Sequence, residues 1–375
     1  MFKNMYLYIF SIFFLLNVIN PGGASAGEPK ITARAAILMD AETGQVFYAQ
    51  NAEKRRSPAS LTKIMTAILA IELGSPNDVV VVSKRAQNIY IGSQIYLKAG
   101  EKIKLRELIK AALIYSANDS TVAIAEHVGG SEKNFVRLMN QKALALGAVN
   151  TNFVNTNGYS VPNHYSTAYD LAKITRYALQ NSTFAQLVRT KEATIHWESG
   201  NREKKVRSTN RLLRSDYPGV DGVKTGTTAR AGNCLIASAT RGNRQLIAVV
   251  LHSRNRYKDA ARLLEYGFNE FKEQTVIEKG QILGELEVKE GVKRYVQLVA
   301  EETMRANLPI DGNNVGLKVN ISASTTAPVK KGQQLGYAVV TLNGQEVGLV
   351  PLVAKEKVRK RGMLFKIWQD ILNSR

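Results

Sequence analysis

Strand-like runs bracket a long helical stretch, and that order restricts the fold more than any other feature of the chain. Ala35–Asp40 and Gln45–Ala49 read as strands around the turn Ala41-Glu42-Thr43-Gly44. Gly232–Ala239 and Gln245–His252 read as two more around the charged turn Thr240–Arg244. Between them, from Leu105 to about Leu187, apolar residues recur at helical spacing, as in Leu105, Leu108, Ile109, Ala112 and Leu113 and again in Phe135, Leu138, Met139, Ala143 and Leu144. Strand backbone groups need partners, so the early and late strands should meet in one antiparallel sheet. The intervening segment then becomes an inserted helical lobe, and a helix predicted from Lys258 to about Phe271 covers the sheet. The expected class is α+β.

From about Val276 the texture changes to short alternating runs, Val292–Val299, Gly316–Ile321 and Leu335–Leu342, the last closed by the hairpin signal Asn343-Gly344. This predicts a small all-β domain over 276–354. Within it Lys279-Gly280-Gln281-Ile282-Leu283-Gly284 is echoed by Lys331-Gly332-Gln333-Gln334-Leu335-Gly336, which suggests two similar turn-and-strand units. The last segment, 355–375, opens with Lys357, Arg359, Lys360 and Arg361. Leu364, Ile367, Trp368, Ile371 and Leu372 then share one helical face. It is expected to be an amphipathic helix lying on an anionic membrane surface, too short and polar to span it.

The other end of the chain reads as an export signal: a basic start at Lys3, an apolar stretch from Met5 to Ile19, and Ala24-Ser25-Ala26 as a cleavage site. Residues 1–26 are thus expected to be a signal peptide, leaving 27–275 as the main domain. The formal net charge of +20 would point a cytoplasmic protein toward nucleic acid. An exported one meets anionic lipid and wall polymers instead, and the basic residues lack the interleaved aromatics of a strand-binding face. No nucleic-acid partner is expected. The single cysteine, Cys234, sits in an apolar run and reads as a buried structural thiol, and the 4 histidines show no zinc-like spacing. Neither metal nor cofactor is expected.

The chemistry begins at Ser60 and Lys63, which a helix would stack one turn apart. A serine hydroxyl is a weak nucleophile until a base takes its proton, and a desolvated lysine can serve as that base. An N-cap serine followed by a solvated lysine would give the same spacing. The run Ile64–Leu73 argues against it, being apolar nearly all round, as in a buried helix. Two further short motifs follow in order: Ser116-Ala117-Asn118 between helical stretches, and Lys224-Thr225-Gly226 just before the strand of Cys234.

With Ser-x-x-Lys, Ser-x-Asn and Lys-Thr-Gly in that order, the chain resembles the penicillin-binding proteins and serine β-lactamases, most closely the low-molecular-mass D-alanyl-D-alanine carboxypeptidases. The resemblance extends over nearly all of the chain beyond residue 26, including 55–63, Ser116-Ala117-Asn118-Asp119, 163–170 and Asp221-Gly222-Val223-Lys224-Thr225-Gly226. It implies a penicillin-binding-type catalytic domain, a peptidoglycan pentapeptide ending in D-Ala-D-Ala as substrate, and acylation by β-lactams. It also implies roles. Ser60 would attack the penultimate carbonyl and Lys63 take its proton. Backbone N–H groups of Ser60 and Thr227, the residue after Gly226, would hold the oxyanion. Ser116 would relay a proton to the leaving D-alanine, with Asn118 bonding Lys63 and substrate. Lys224, Thr225 and the later Arg254 would clamp the terminal carboxylate. The two lysines would depress each other's pKa. His164 is expected to make a structural hydrogen bond.

A class A β-lactamase uses a glutamate-held water, and 155–170 contains no glutamate, which favours the carboxypeptidase. A β-lactamase or endopeptidase of the same superfamily, or a weakly catalytic wall-synthesis scaffold, are the alternatives.

Overall fold

The computed structural model describes residues 12–14, 28–198, 200–312, 315–342 and 344–362. They form two compact units, Gly27–Phe268 and a second beginning at Asn269. Of the expected export signal only the extended residues Ile12–Phe14 are described.

The first unit is built on a five-stranded antiparallel sheet in the order β2-β1-β5-β4-β3, where β1 is Ala35–Asp40, β2 Val46–Gln50, β3 Val220–Thr228, β4 Gly232–Arg241 and β5 Arg244–Ser253. Every residue of β1 is buried, because helices cover both faces, and such a strand reads as an unbroken apolar run. Its partners are those the two distant strand pairs require: Ile37 faces Val249, and Val249 faces Ile236. On one face lies α6 (Arg256–Glu270), which comes so close at Gly267 that a Cβ there would stand 2.7 Å from both Leu246 and Leu38 side chains. On the other lie α1 (Lys63–Leu73) and α4 (Ala168–Leu179), the latter capped by Thr167, whose hydroxyl accepts from Asp170 N at 3.0 Å.

The inserted lobe contains α2 (Asn118–Gly129), α3 (Glu132–Ala145) and α5 (Ser182–Arg189). A short helix, Leu105–Lys110, widens into a π-helical turn, Ala111–Tyr115, and stops at Ser116. Among the described residues no helix is long and apolar enough to cross a membrane.

The second unit starts earlier than the expected residue 276. Strand β6 (Phe271–Ile277) already pairs with β9 (Met304–Pro309), while β7 (Ile282–Lys289), β8 (Tyr295–Ala300), β10 (Val315–Ile321), β11 (Ser324–Thr326), β12 (Gln334–Leu342) and β13 (Gln345–Ala354) share a larger sheet. The sequence echo is a structural repeat. Gly280 and Gly332, at φ 84° and 79°, each donate an N–H to the last residue of a strand, Ala300 and Ala354, at 2.9 Å. Gln281 and Gln333 each return a side-chain oxygen to the backbone N–H three residues before, at 3.0 Å. The hairpins β7-β8 and β12-β13 meet through β8 and β13, so their equivalents sit back to back within one sheet.

Residues 355–361 are extended rather than helical. Val358 and Lys360 bridge Val329 and Gly291, Val358 is buried, and Lys360 pairs with Glu290 at 2.9 Å. The basic cluster therefore belongs to the β domain. The amphipathic part of the expected tail helix lies outside the described residues.

Candidate active site

Ser60 stands on a 3-10 turn, Ala59–Thr62, that runs directly into α1. Ala59 is fully buried at φ 50°, a left-handed conformation costly for a residue with a Cβ, and the strain sits immediately before the serine. Strand β3 and the loop at 157–158 hold the turn in place. A Cβ at Gly158 would collide with Ala59 O, and one at Gly226 would fall 2.9 Å from Ser60 N, so both positions require glycine for close approach.

Lys63 is fully buried. Its Nζ lies 3.0 Å from Ser60 Oγ, 2.6 Å from Asn118 Oδ1 and 2.7 Å from the carbonyl oxygen of Asn157. Burial, with the Lys224 charge second and Asp119 opposing, pushes its pKa far below the usual lysine range. A neutral amine has two N–H bonds and one lone pair. The two fixed oxygens of Asn118 and Asn157 take the N–H bonds, and the lone pair is left facing the Ser60 hydroxyl.

Ser116 ends the π-helical turn at φ 69°, which turns its hydroxyl to Lys224 Nζ at 2.8 Å. Asn118 starts the next helix, and its amide donates to Ile91 O, tying the loop at 91–93 over the cleft. Asp119 secures the same loop by accepting from Ile95 and Leu97 backbone N–H groups at 3.2 and 3.1 Å. Lys224, on β3, is fully buried and pushed down to about 7 by burial and then by Arg256. Burial thus leads for both amines, and the mutual lysine repulsion expected from sequence acts on Lys63 alone, Arg256 being the charge that acts on Lys224.

Ser60, Ser116, Asn118 and Asn157 line one cleft of about 260 Å³ together with Gly92, Tyr159, Thr209, Thr225 and Thr227, and the two buried lysines reach Ser60 and Ser116 from behind its wall. Thr225 Oγ1 is 2.6 Å from Thr209 Oγ1, a partner no motif signals. Among the larger hollows, those of about 620 and 520 Å³ around Glu126 and Ile109 gather no comparable set. Among the described residues no cluster of His, Cys, Asp and Glu could hold a metal ion.

Arg254 is the expected site residue that the structure places elsewhere. It is exposed, it does not line the cleft, and its backbone N–H donates to Thr32 Oγ1 at 3.1 Å. The strand register shifts between Val250 and Ser253, with His252 at φ 53°, so a simple alternation count fails there. Arg256 lines the cleft instead, its Nη1 donating to Gly226 O at 3.0 Å, Thr227 Oγ1 at 2.8 Å and Cys234 O at 3.2 Å. His164 is structural: Nδ1 accepts from Val154 N at 3.1 Å, which leaves Nε2–H to donate to Thr62 Oγ1 at 2.9 Å, and burial lowers its pKa to about 4. Cys234 is buried, with its thiol pushed up to about 11, and is inert as a nucleophile.

A serine beside a desolvated lysine, with a second serine-lysine pair across the cleft, defines the class of active-site-serine enzymes that use lysine rather than histidine as base. The chain belongs to the D-alanyl-D-alanine carboxypeptidase family, peptidase S11, whose model matches residues 23–255. The model of the penicillin-binding protein 5 C-terminal domain matches 271–360. The D-alanyl-D-alanine carboxypeptidase DacF of Bacillus subtilis is 35% identical over 91% of this chain and 90% of its own. Among solved structures, penicillin-binding protein 5 of Haemophilus influenzae matches with TM-score 0.69 and 31% identity over 88% of this chain and 99% of that one, and the carboxypeptidase DacD of Francisella tularensis with 0.73 and 26% over 88% and 95%. The expected serine-type carboxypeptidase and its α+β fold are borne out at the level of family.

Proposed function

We propose that the protein removes the terminal D-alanine from peptidoglycan pentapeptides through an acyl-serine on Ser60, in an exported protein held at a membrane surface. The observation that carries this reading is Lys63 Nζ, buried and 3.0 Å from Ser60 Oγ, with both its N–H bonds taken by Asn118 and Asn157. Ser60 Oγ attacks the penultimate carbonyl carbon as its proton passes to Lys63. The oxyanion is held by the N–H groups of Ser60 and Thr227. When the C–N bond breaks, Ser116 gives its proton to the leaving amine and takes in its place the proton that Lys63 had accepted, which leaves Lys63 neutral again; Lys224 at 2.8 Å supplies the charge that supports this step. Thr225 and Thr209 receive the terminal carboxylate beside Lys224, and Arg256 replaces Arg254 as the cation bracing that end of the strand. Water then attacks the acyl carbon as neutral Lys63 takes its proton, and Lys63 hands that proton to Ser60 Oγ as the acyl bond breaks. A β-lactam enters the same path and stalls as the acyl-enzyme.

Purified protein should release free D-alanine from a pentapeptide and gain one drug mass on Ser60 with a β-lactam. Equal release by Ser60→Ala, or labelling elsewhere, would sink the reading. Truncation after Gly362 tests the membrane part, because it spares the β-domain strand at 355–361. Unchanged binding to anionic vesicles would refute anchoring by the tail.

A further inference from the structure

A second hollow of about 350 Å³ opens beside the cleft, lined by Arg55, Arg56, Ser57, Tyr165, Arg230 and His252 among others. It is separated from the cleft by a chain of hydroxyls: Ser57 Oγ to Ser160 Oγ at 2.6 Å and Ser160 Oγ to Thr228 Oγ1 at 2.7 Å. Thr228 lines the cleft, and Arg230 follows it by two residues in the β3–β4 turn. The two hollows therefore share a wall.

The charge in this hollow is unbalanced. Among the described residues no ion pair holds Arg55, Arg56 or Arg230, and Arg56 Nε is buried with no hydrogen-bond partner. Asp170, the carboxylate that Arg55 acts on, is already occupied by Thr151 Oγ1 and Asn150 N, both at 2.8 Å. Arg55 Cζ lies 4.7 Å from the centre of the Tyr165 ring, and its Nη2 donates to Asn150 Oδ1 at 3.0 Å, two contacts that hold the guanidinium at the mouth of the hollow. Burial and the Arg34 charge lower the pKa of Arg56, and burial with Arg34 and Arg56 lowers that of His252. Like charges gathered around an unsatisfied donor are costly unless an anion joins them.

We infer that this hollow is a carboxylate subsite for the part of the substrate peptide upstream of the scissile bond. The inference rests on the proposed function. If the leaving D-alanine lies toward Thr225 and Thr209, the acyl chain must run the other way along β3, past Thr227 and Thr228 to Arg230. At about 3.3 Å per extended residue that path brings a side chain two or three residues before the scissile carbonyl to the arginines. A stem peptide with a free carboxylate there meets a bidentate donor set, and its amidated counterpart does not.

Binding to the Ser60→Ala protein tests the subsite without turnover. Two pentapeptides ending in D-Ala-D-Ala are compared, one with the upstream carboxylate free and one with it amidated. The acid should bind about tenfold more tightly, and Arg230→Gln or Arg56→Gln on the same background should reduce the ratio below about twofold. Arg230 is exposed in a turn, so its variant folds even if that of Arg56 does not. Equal affinities, or a tenfold ratio that survives Arg230→Gln, overturn the inference. So does stabilisation by inorganic phosphate that is lost in Arg56→Gln while the peptides bind alike, since the site would then hold a free anion. Failure of the wild type to release D-alanine would instead strike the proposed function.

Discussion

Replacing Gly226 by alanine puts one methyl group into the contact that brings β3 against the Ser60 turn. That methyl would lie 2.9 Å from Ser60 N, 3.0 Å from Ala59 Cβ and 3.1 Å from Pro58 O. None of the three can move alone, because Ala59 and Pro58 are buried and Arg256 grips Gly226 O from the strand side at 3.0 Å. Relief to an ordinary contact of 3.4 Å parts strand and turn by about 0.5 Å. The N–H groups of Ser60 and Thr227 must both lie about 2.7–3.1 Å from one oxyanion, so a parting of that size takes one donor out of range. Loss of one such donor costs about 10²–10³ in rate, whereas overpacking costs the fold ~1–3 kcal/mol. The assay is the second-order rate of β-lactam acylation, followed by mass, beside a thermal midpoint. Expected are a midpoint lower by only a few degrees and acylation slower by about two to three orders of magnitude. Acylation within threefold of wild type would refute the assignment of the oxyanion donors.

The other expectations concern charge. Arg254→Ala should leave acylation within about twofold, whereas Arg256→Ala, which strips three hydrogen bonds from the β3–β4 edge, should slow it at least about tenfold; the reverse order would restore the sequence expectation. His164 is neutral in the fold, with a pKa of about 4 against 6.5 unfolded, so the stability it contributes is whole above pH 6.5 and falls away as pH drops to 4. Urea midpoints at pH 7, 5.5 and 4.5 should show His164→Asn losing ~2 kcal/mol less than wild type over that range, and parallel losses would refute the linkage. Lys224 titrates at about 7 in the fold and 10.5 outside it, so its burial penalty is full below pH 7 and vanishes by 10.5. Lys224→Met should therefore raise the thermal midpoint most at pH 6 and least at pH 10; a pH-independent gain would point to packing instead.

Much of this site was legible because its chemistry is carried by side chains in short linear motifs. Ser60, Lys63, Ser116, Asn118 and Lys224 could each be named, and their elements followed from apolar periodicity. What escaped is carried by backbone or by register. The Asn157 carbonyl that holds Lys63 has no side-chain signature. Arg254 and Arg256 look interchangeable in a strand read by twos. The chain leaves the strand at Ser253 and enters α6 at Arg256, and that bend, which no propensity announces, decides between them. The β-domain repeat was legible because each copy needs the same glycine and glutamine to close its turn, whereas the boundary at 276 was misplaced because Phe271–Ile277 alternates too weakly to stand out from the helix before it.

The π-helical turn at Ala111–Tyr115 has a consequence for the chemistry. A π turn is an α-helix carrying one residue more than its length requires. Removing any one residue from it would leave a regular helix of nearly the same length and the same buried face. The extra residue is taken up within the turn itself, which ends at Ser116 in the left-handed conformation that faces Lys224. The placing of Ser116 beside Lys224 thus hangs on a single surplus position in the lobe, which no change in helix length or burial would reveal.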